Sequence, residues 1–282
     1  MASREFANWY QSCGRHHLPW RRTHDPWAVV VSEVMLQQTS VARVLPRWER
    51  FLRRWPDPQA CAAASLEEVL REWQGLGYPR RARALHRTAG VVASAGWPDT
   101  EAGLRSLPGV GPYTAGALAH LAFGWDGRVP QDVNIARVTA RAVLGTEVGG
   151  STPGQRARGL DDLDWGLSGR SLVLALFDLG ATVCTARRPL CRACPLRPRC
   201  ASADRLTTAL PRPPARRQAT WRGSLRELRG AVLREFLGGA PPTSYRELHG
   251  RVGHLGAAGS GDGVGTALDG LVRDGLLPAP GW

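Results

Sequence analysis

Apolar residues recur along most of this chain at the three- and four-residue spacing of helices packed on one side, and strand-type alternation is almost absent. The pattern predicts an all-α fold. Residues 29–55 read as one long helical stretch, broken near Pro46. Residues 65–73 are amphipathic, and Ser65 with Glu68 three positions on has the form of a capping box. Residues 80–95 predict a helix with an arginine face, and further helices are expected at 114–123, 133–144 and 172–183. Residues 207–220, rich in Pro, Arg and Thr, read as a linker. Beyond it, 224–237, 244–252 and 264–274 predict three short helices, with a Gly-rich loop at 256–263; this tail is expected to form a small separate unit.

Charge narrows the picture. The 282 residues carry a formal charge of +13, which points to a polyanionic partner, nucleic acid first. All 37 basic residues are arginine and none is lysine. The Arg-, Ala- and Gly-rich usage also suits a GC-rich genome, so charge alone leaves a basic protein without such a partner open. No apolar run approaches the roughly 20 residues needed to cross a bilayer, and residues 1–9 are polar and charged, without the apolar core of a signal peptide. A cytoplasmic protein with no membrane role is expected, in which clustered cysteines suggest a metal site rather than disulfides.

Two segments carry candidate chemistry. Cys184, Cys191, Cys194 and Cys200 follow C-x6-C-x2-C-x5-C. Four thiolates so close together can enclose one zinc ion or one iron–sulfur cubane. Zinc favours two paired knuckles, whereas one pair with two wider arms suits a [4Fe–4S] cluster. Arg187, Arg188, Arg192, Arg197 and Arg199 lie between or beside the ligands, where a pinned loop could present them to phosphates. Cys13 and Cys61 stand alone and read as ordinary buried thiols. The second segment runs from Leu107 through Gly109, Val110 and Gly111 to Tyr113, Thr114 and Ala115, between two expected helices. Its glycines allow a tight turn with outward N–H groups, and the following helix N-terminus adds a positive dipole end. It resembles a helix-hairpin-helix DNA-binding motif.

Leu18-Pro19-Trp20-Arg21, then 31–39 (Val-Ser-Glu-Val-Met-Leu-Gln-Gln-Thr), Gly75-Leu76-Gly77-Tyr78, the glycine turn, Asp132-Val133-Asn134 and the four cysteines resemble, in order and spacing, the MutY family of adenine DNA glycosylases. That family belongs to the helix-hairpin-helix superfamily that includes endonuclease III. The likeness covers roughly residues 5–205, and its most specific piece is Ser32–Thr39. It implies a six-helix barrel (29–128) with the helix-hairpin-helix and a [4Fe–4S] cluster domain (1–28 with 129–205). The tail (206–282), outside the likeness, reads from its own residues as a small helical unit, either a winged-helix-like DNA contact through Arg226, Arg229 and Arg234 or solvated helices that pack on the main body. The partner implied is double-stranded DNA with a mismatched or oxidised pair, met by a nucleoid-associated monomer.

The chemistry fits the resemblance. Cutting an N-glycosidic bond needs an acid for the leaving base and a negative charge near the cationic sugar. Glu33 lies among Val29, Val30, Val31, Val34, Met35 and Leu36, where burial would keep it protonated. By resemblance Glu33 protonates adenine, Asp132 stabilises the sugar and Asn134 orients the site. On its own, Asp132 before a helix is equally an N-cap. The resemblance also assigns Gln38 as the wedge filling the gap left by the extruded base, sets Gln37 and Tyr78 against DNA, and lines the adenine pocket with Leu18, Trp20 and Arg21. Trp20 could equally be plain core. Strand-cutting relatives use a lysine where this chain has Tyr113, so a monofunctional enzyme is expected.

Several positions depart from the family. Residues 206–282 are too short and too helical for the Nudix-like domain that reads 8-oxoguanine; Val133 replaces Gly or Thr; Pro79 replaces a second tyrosine; Leu174 stands where a Gln or Glu often contacts adenine. Two rivals follow: a related glycosylase for another base, and a non-catalytic iron–sulfur DNA-binding or redox-sensing protein. For the first, a thymine mismatch or an alkylated base, Glu33 argues against the thymine mismatch, since protonating a purine is what that carboxylate is for; the Glu33–Asp132 pair argues against the second.

Overall fold

The computed structural model describes residues 2–125, 127–203, 205, 220–255 and 262–282. The linker 207–219 and residues 256–261 of the Gly-rich loop lie outside them. Among the described residues there are helices and no strands, so the all-α expectation holds. The tail likewise shows three helices and no wing strand there.

Two compact units form, and the division falls inside one helix: residues 1–34 with 97–214, and 35–96 with 215–282. The first contains α1 (Ala2–Cys13), most of α2 (Pro26–Leu36), α7 (Glu101–Ser106), α8 (Pro112–Leu121), α9 (Val133–Ala142), α10 (Pro153–Asp161) and α11 (Gly169–Thr182). Helix α11 is its apolar centre: Leu172, Val173, Leu174, Ala175, Leu176 and Leu179 are buried, and α1, α8 and α9 pack on it. Gly180 permits the close approach of α9, since a Cβ there would lie 2.7 Å from the Asn134 Cβ.

The second unit holds α3 (Val41–Arg54), α4 (Pro58–Ala63), α5 (Leu66–Trp73) and α6 (Arg80–Ala95), with the tail helices α12 (Leu225–Leu237), α13 (Tyr245–Val252) and α14 (Gly263–Arg273). The Ser65–Glu68 capping box is present at the start of α5. The helical run from 29 breaks at residues 37–40, not at Pro46, which lies inside α3. Helix α3 tolerates the proline because Val44, Trp48 and Phe51 bury one face across it. The tail packs within this unit: Arg80 and Arg229 pair with the Asp274 carboxylate, Arg83 donates to the Asp274 carbonyl (2.8 Å), and Arg71 donates to the Leu237 carbonyl (2.9 Å). Arg229 is thus engaged in packing within the unit, and Arg226 lies over the Trp221 ring.

Candidate active site

In the first unit four side chains from separate segments converge: Arg21, Glu33 near the end of α2, Tyr113 in the first turn of α8, and Asp132 before α9. Burial pushes the Glu33 carboxyl up to about 7; the Arg21 charge and a hydrogen bond from the Tyr113 hydroxyl oppose this, and the Asp132 charge adds to it. An acid of that strength is half protonated at neutral pH. Burial, with the nearby Glu33 and Asp132 charges, raises Tyr113 well above the usual phenol range, so it stays a hydrogen-bond donor.

Asp132 is the N-cap of α9, and it lies close enough to Glu33 for its charge to raise that carboxyl's pKa. Its Oδ1 caps α9 by accepting from the Asn134 and Ile135 amides (2.9 and 2.7 Å), while Oδ2 accepts from Asn134 Nδ2 (2.7 Å). Burial raises its pKa, and these hydrogen bonds hold it back. Val133, the family departure, lies exposed beside it.

Arg21 is fixed by residues the sequence reading missed. Its Nη2 donates to Asp178 Oδ1 (2.9 Å), a carboxylate buried in α11 that also accepts from the Arg15 amide (2.9 Å) and Arg15 Nε (2.8 Å). Both guanidiniums lie over the Phe177 ring, and Arg170 donates to the carbonyls of Arg21 (3.0 Å) and Thr23 (2.9 Å). The available signal was a lone aspartate inside the apolar run 172–183, since a buried carboxylate needs a partner. Arg21 Nε is buried without a hydrogen-bond partner among the described residues. Leu18 and Trp20 are buried beside Arg21 in sequence.

The glycine turn joins α7 to α8. Gly109 takes a left-handed conformation (φ 76°), and the Val110 amide closes the turn on the Leu107 carbonyl (3.1 Å). Leu107, Val110 and Thr114 face inward, whereas Gly109 and Gly111 are exposed, so the outer surface of the turn is backbone. Gln37, Gln38 and Tyr78 belong to the second unit, where Gln38 and Tyr78 are exposed in two turns.

All four clustered cysteines line one small cavity of about 20 Å³. Among the described residues no three metal-ligating side chains are already gathered round a point. Burial raises the thiols of Cys184 and Cys200, and that of Cys194 to about 12. Such thiols ionise when a metal supplies the opposing charge, so the donor set fits a metal centre. Arg141 pins the loop through the carbonyls of Thr185 (2.9 Å) and Ala186 (3.2 Å). Arg137 joins Asn134 Oδ1 (2.8 Å) to the Cys184 carbonyl (2.7 Å), linking the start of α9 to this loop. Arg199 lies over Trp165, while Arg187, Arg188, Arg192 and Arg197 are exposed. Cys61 is buried as expected, with its thiol pushed up to about 12. Cys13 is a correction: it is exposed at the end of α1.

The family model described as HhH-GPD superfamily base excision DNA repair protein matches residues 31–158. An adenine DNA glycosylase of Mycobacterium tuberculosis (strain H37Rv) is 43% identical over 276 residues, 95% of this chain and 88% of that protein. One from Mycolicibacterium smegmatis is 41% identical over 286 residues, 97% of this chain and 91% of its own length. Among solved structures, a thermostable thymine-DNA glycosylase superposes with a TM-score of 0.63 at 25% identity, covering 72% of this chain and 95% of its own. A non-covalent endonuclease III–DNA complex superposes with a TM-score of 0.61 at 20% identity, covering 73% and 95%.

Proposed function

Since this chain belongs to the adenine DNA glycosylase family, within the HhH-GPD superfamily of base excision DNA repair proteins, we propose that it hydrolyses the N-glycosidic bond of adenine mispaired with 8-oxoguanine or guanine. The product is an abasic site in an unbroken strand. The observation that carries this reading is the Glu33 carboxyl at about 7, hydrogen-bonded by Tyr113 and set close enough to Asp132 to feel its charge.

In the mechanism, Glu33 in its acid form gives its proton to a ring nitrogen of the extruded adenine, so the base leaves neutral. The bond electrons go with the base, and Asp132, held by Asn134, steadies the cationic sugar until water adds at C1′. Arg21, held by Asp178 close enough to Glu33 for its charge to act there, is the cationic group on this side of the site. Leu18 and Trp20 wall that side. Leu174, buried in α11, offers no polar group, so recognition there falls to Arg21 and Glu33. Exposed amides of the glycine turn take phosphates without regard to sequence.

Cys184, Cys191, Cys194 and Cys200 would hold a [4Fe–4S] cluster, which when bound would fix the 184–200 loop rather than enter the hydrolysis. Its exposed arginines would then face the DNA backbone.

The test is single-turnover release of adenine opposite 8-oxoguanine, guanine and thymine. Glu33→Gln should lower the rate by at least about 1,000-fold, since it removes the proton donor; equal rates for variant and wild type would remove the reading. Without lysine the chain has no side-chain amine to form an imine. Borohydride should therefore trap no covalent adduct, and a high-yield adduct on denaturing gels would contradict the monofunctional assignment.

A further inference from the structure

In the second unit, Gln38 (φ 56°) and Tyr78 (φ 49°) are the two non-glycine residues in the left-handed region among those described. Such backbone persists only where surrounding contacts over-determine it. Both side chains are exposed, in the turn that ends α2 and the turn that precedes α6.

One side chain holds both turns. Arg81, in the first turn of α6, directs Nη1 to the carbonyls of Met35 (3.1 Å) and Gln37. Its Nη2 reaches the carbonyls of Leu76 and Gly77 (both 3.0 Å) and the Thr39 hydroxyl (3.1 Å). The bonded carbonyls of Gln37 and Gly77 immediately precede the two strained residues, so the guanidinium fixes the peptide plane on which each turns. It also lies between the rings of Trp73 (5.6 Å) and Tyr78 (5.3 Å). Thr39 closes the set by donating to the Leu76 carbonyl (3.2 Å), and Trp73 Nε1 donates to the Gly77 carbonyl (3.1 Å). A phosphate-binding arginine keeps its fork toward solvent; this one turns it inward, onto the backbone of two turns.

We infer that Arg81 is a positioning residue for base extrusion: it clamps the Gln37–Thr39 and Leu76–Tyr78 turns into one rigid element that presents Gln38 and Tyr78 to the duplex together. The inference rests on the glycosylase reading above. A planar fork with several donors can span these acceptors, whereas an ammonium cannot. Preformed geometry matters because a misplacement of about 1 Å can cost about 100-fold in rate.

The experiment compares wild type, Arg81→Met, Arg81→Lys and Thr39→Val. Extrusion is read as the fluorescence rise of 2-aminopurine placed at the target position. Alongside it run the single-turnover excision rate, the affinity for an undamaged, fully paired duplex, and the melting temperature. Arg81→Met should lose most of the fluorescence rise and about 100-fold in rate, while affinity for the undamaged duplex, which offers no gap for the wedge, stays at the wild-type value. Arg81→Lys should behave like Arg81→Met, and Thr39→Val should lose less in the same direction. In a Gln38→Ala, Tyr78→Ala background, Arg81→Met should have no further effect. Full rescue by lysine would reassign the role to charge. Equal loss of undamaged-duplex affinity, or an additive loss in the alanine background, would make Arg81 a fold staple only, and either result overturns the inference. Should Arg81→Met fail to fold, Thr39→Val decides, and unchanged extrusion in that variant overturns it. Wild-type excision is the control: its absence removes the glycosylase reading, whereas wild-type excision with an unaffected Arg81→Met removes this inference alone.

Discussion

Glu33 is flanked in α2 by Val29, Val30, Val31, Val34 and Met35, all buried, and its carboxyl feels their low polarity before any other influence. The acid form is the reactive one, so the excision rate should be flat below pH about 7 and fall with rising pH above it. The same shift has a stability consequence of definite sign. The native carboxyl holds its proton more tightly than the unfolded one, from 4.5 to about 7. Stability from this group is complete below pH 4.5, declines as pH rises to about 7, and is constant beyond; the loss is on the order of 2 kcal/mol after allowance for the site's partial exposure. Glu33→Gln cannot ionise, so it should melt a few degrees higher than wild type at pH 8 and at the same temperature at pH 4.5, while losing excision at both. Calorimetry at the two pH values checks this; an unchanged gap between them would refute the assigned shift. The identity and apolar setting of this acid were legible because they are local in sequence. The Arg21–Asp178 pair was not, because 157 positions separate its members and only the packing of α11 unites them.

At the level of elements, the start of α9 shows why one residue admitted two readings. An aspartate before a helix is a cap, and a carboxylate beside a sugar is a catalyst; in Asp132, Oδ1 accepts from the helix amides, and Oδ2 accepts from Asn134, the arrangement on which the proposed second task rests. The tasks separate by substitution. Asparagine caps a helix about as well as aspartate, whereas alanine costs about 1 kcal/mol. Asp132→Asn should thus retain wild-type denaturant stability yet lose at least about 100-fold in excision rate. Asp132→Ala should lose both. If Asp132→Asn excised adenine normally, the residue would be a cap and nothing more. Helix boundaries drawn from local chemistry, such as the Ser65–Glu68 box and α6, were legible. The break at 37–40 was not: Arg81, over forty positions later, collects the carbonyls that would have continued the helix. The long stretch looked breakable at its proline, but the buried face of α3 carries the helix through Pro46.

For the molecule as a whole, the surplus charge is unevenly placed. Between 220 and 282, seven arginines face six carboxylates, so nearly all of the +13 lies in the first 219 residues. Several tail charges are also engaged: Arg229 with Asp274, and Arg251 with Glu235 and Glu247. A tail with balanced charge offers little net attraction to phosphates, whereas Arg187, Arg188 and Arg192 stand exposed between the cysteines. Each phosphate that an arginine neutralises releases about one counterion, so the slope of log affinity against log salt measures how many phosphates are engaged. Replacing Arg187, Arg188 and Arg192 by serine should reduce the magnitude of that slope by about one for each phosphate no longer neutralised. Replacing Arg222, Arg234 and Arg246, equally exposed but in the tail, should leave it where it was. Both triple variants remove the same formal charge, so a general charge effect would move them together. Binding to an undamaged duplex, titrated from low to moderate salt, separates the cases, and a slope change in the tail variant matching that in the loop variant would place the tail on DNA after all.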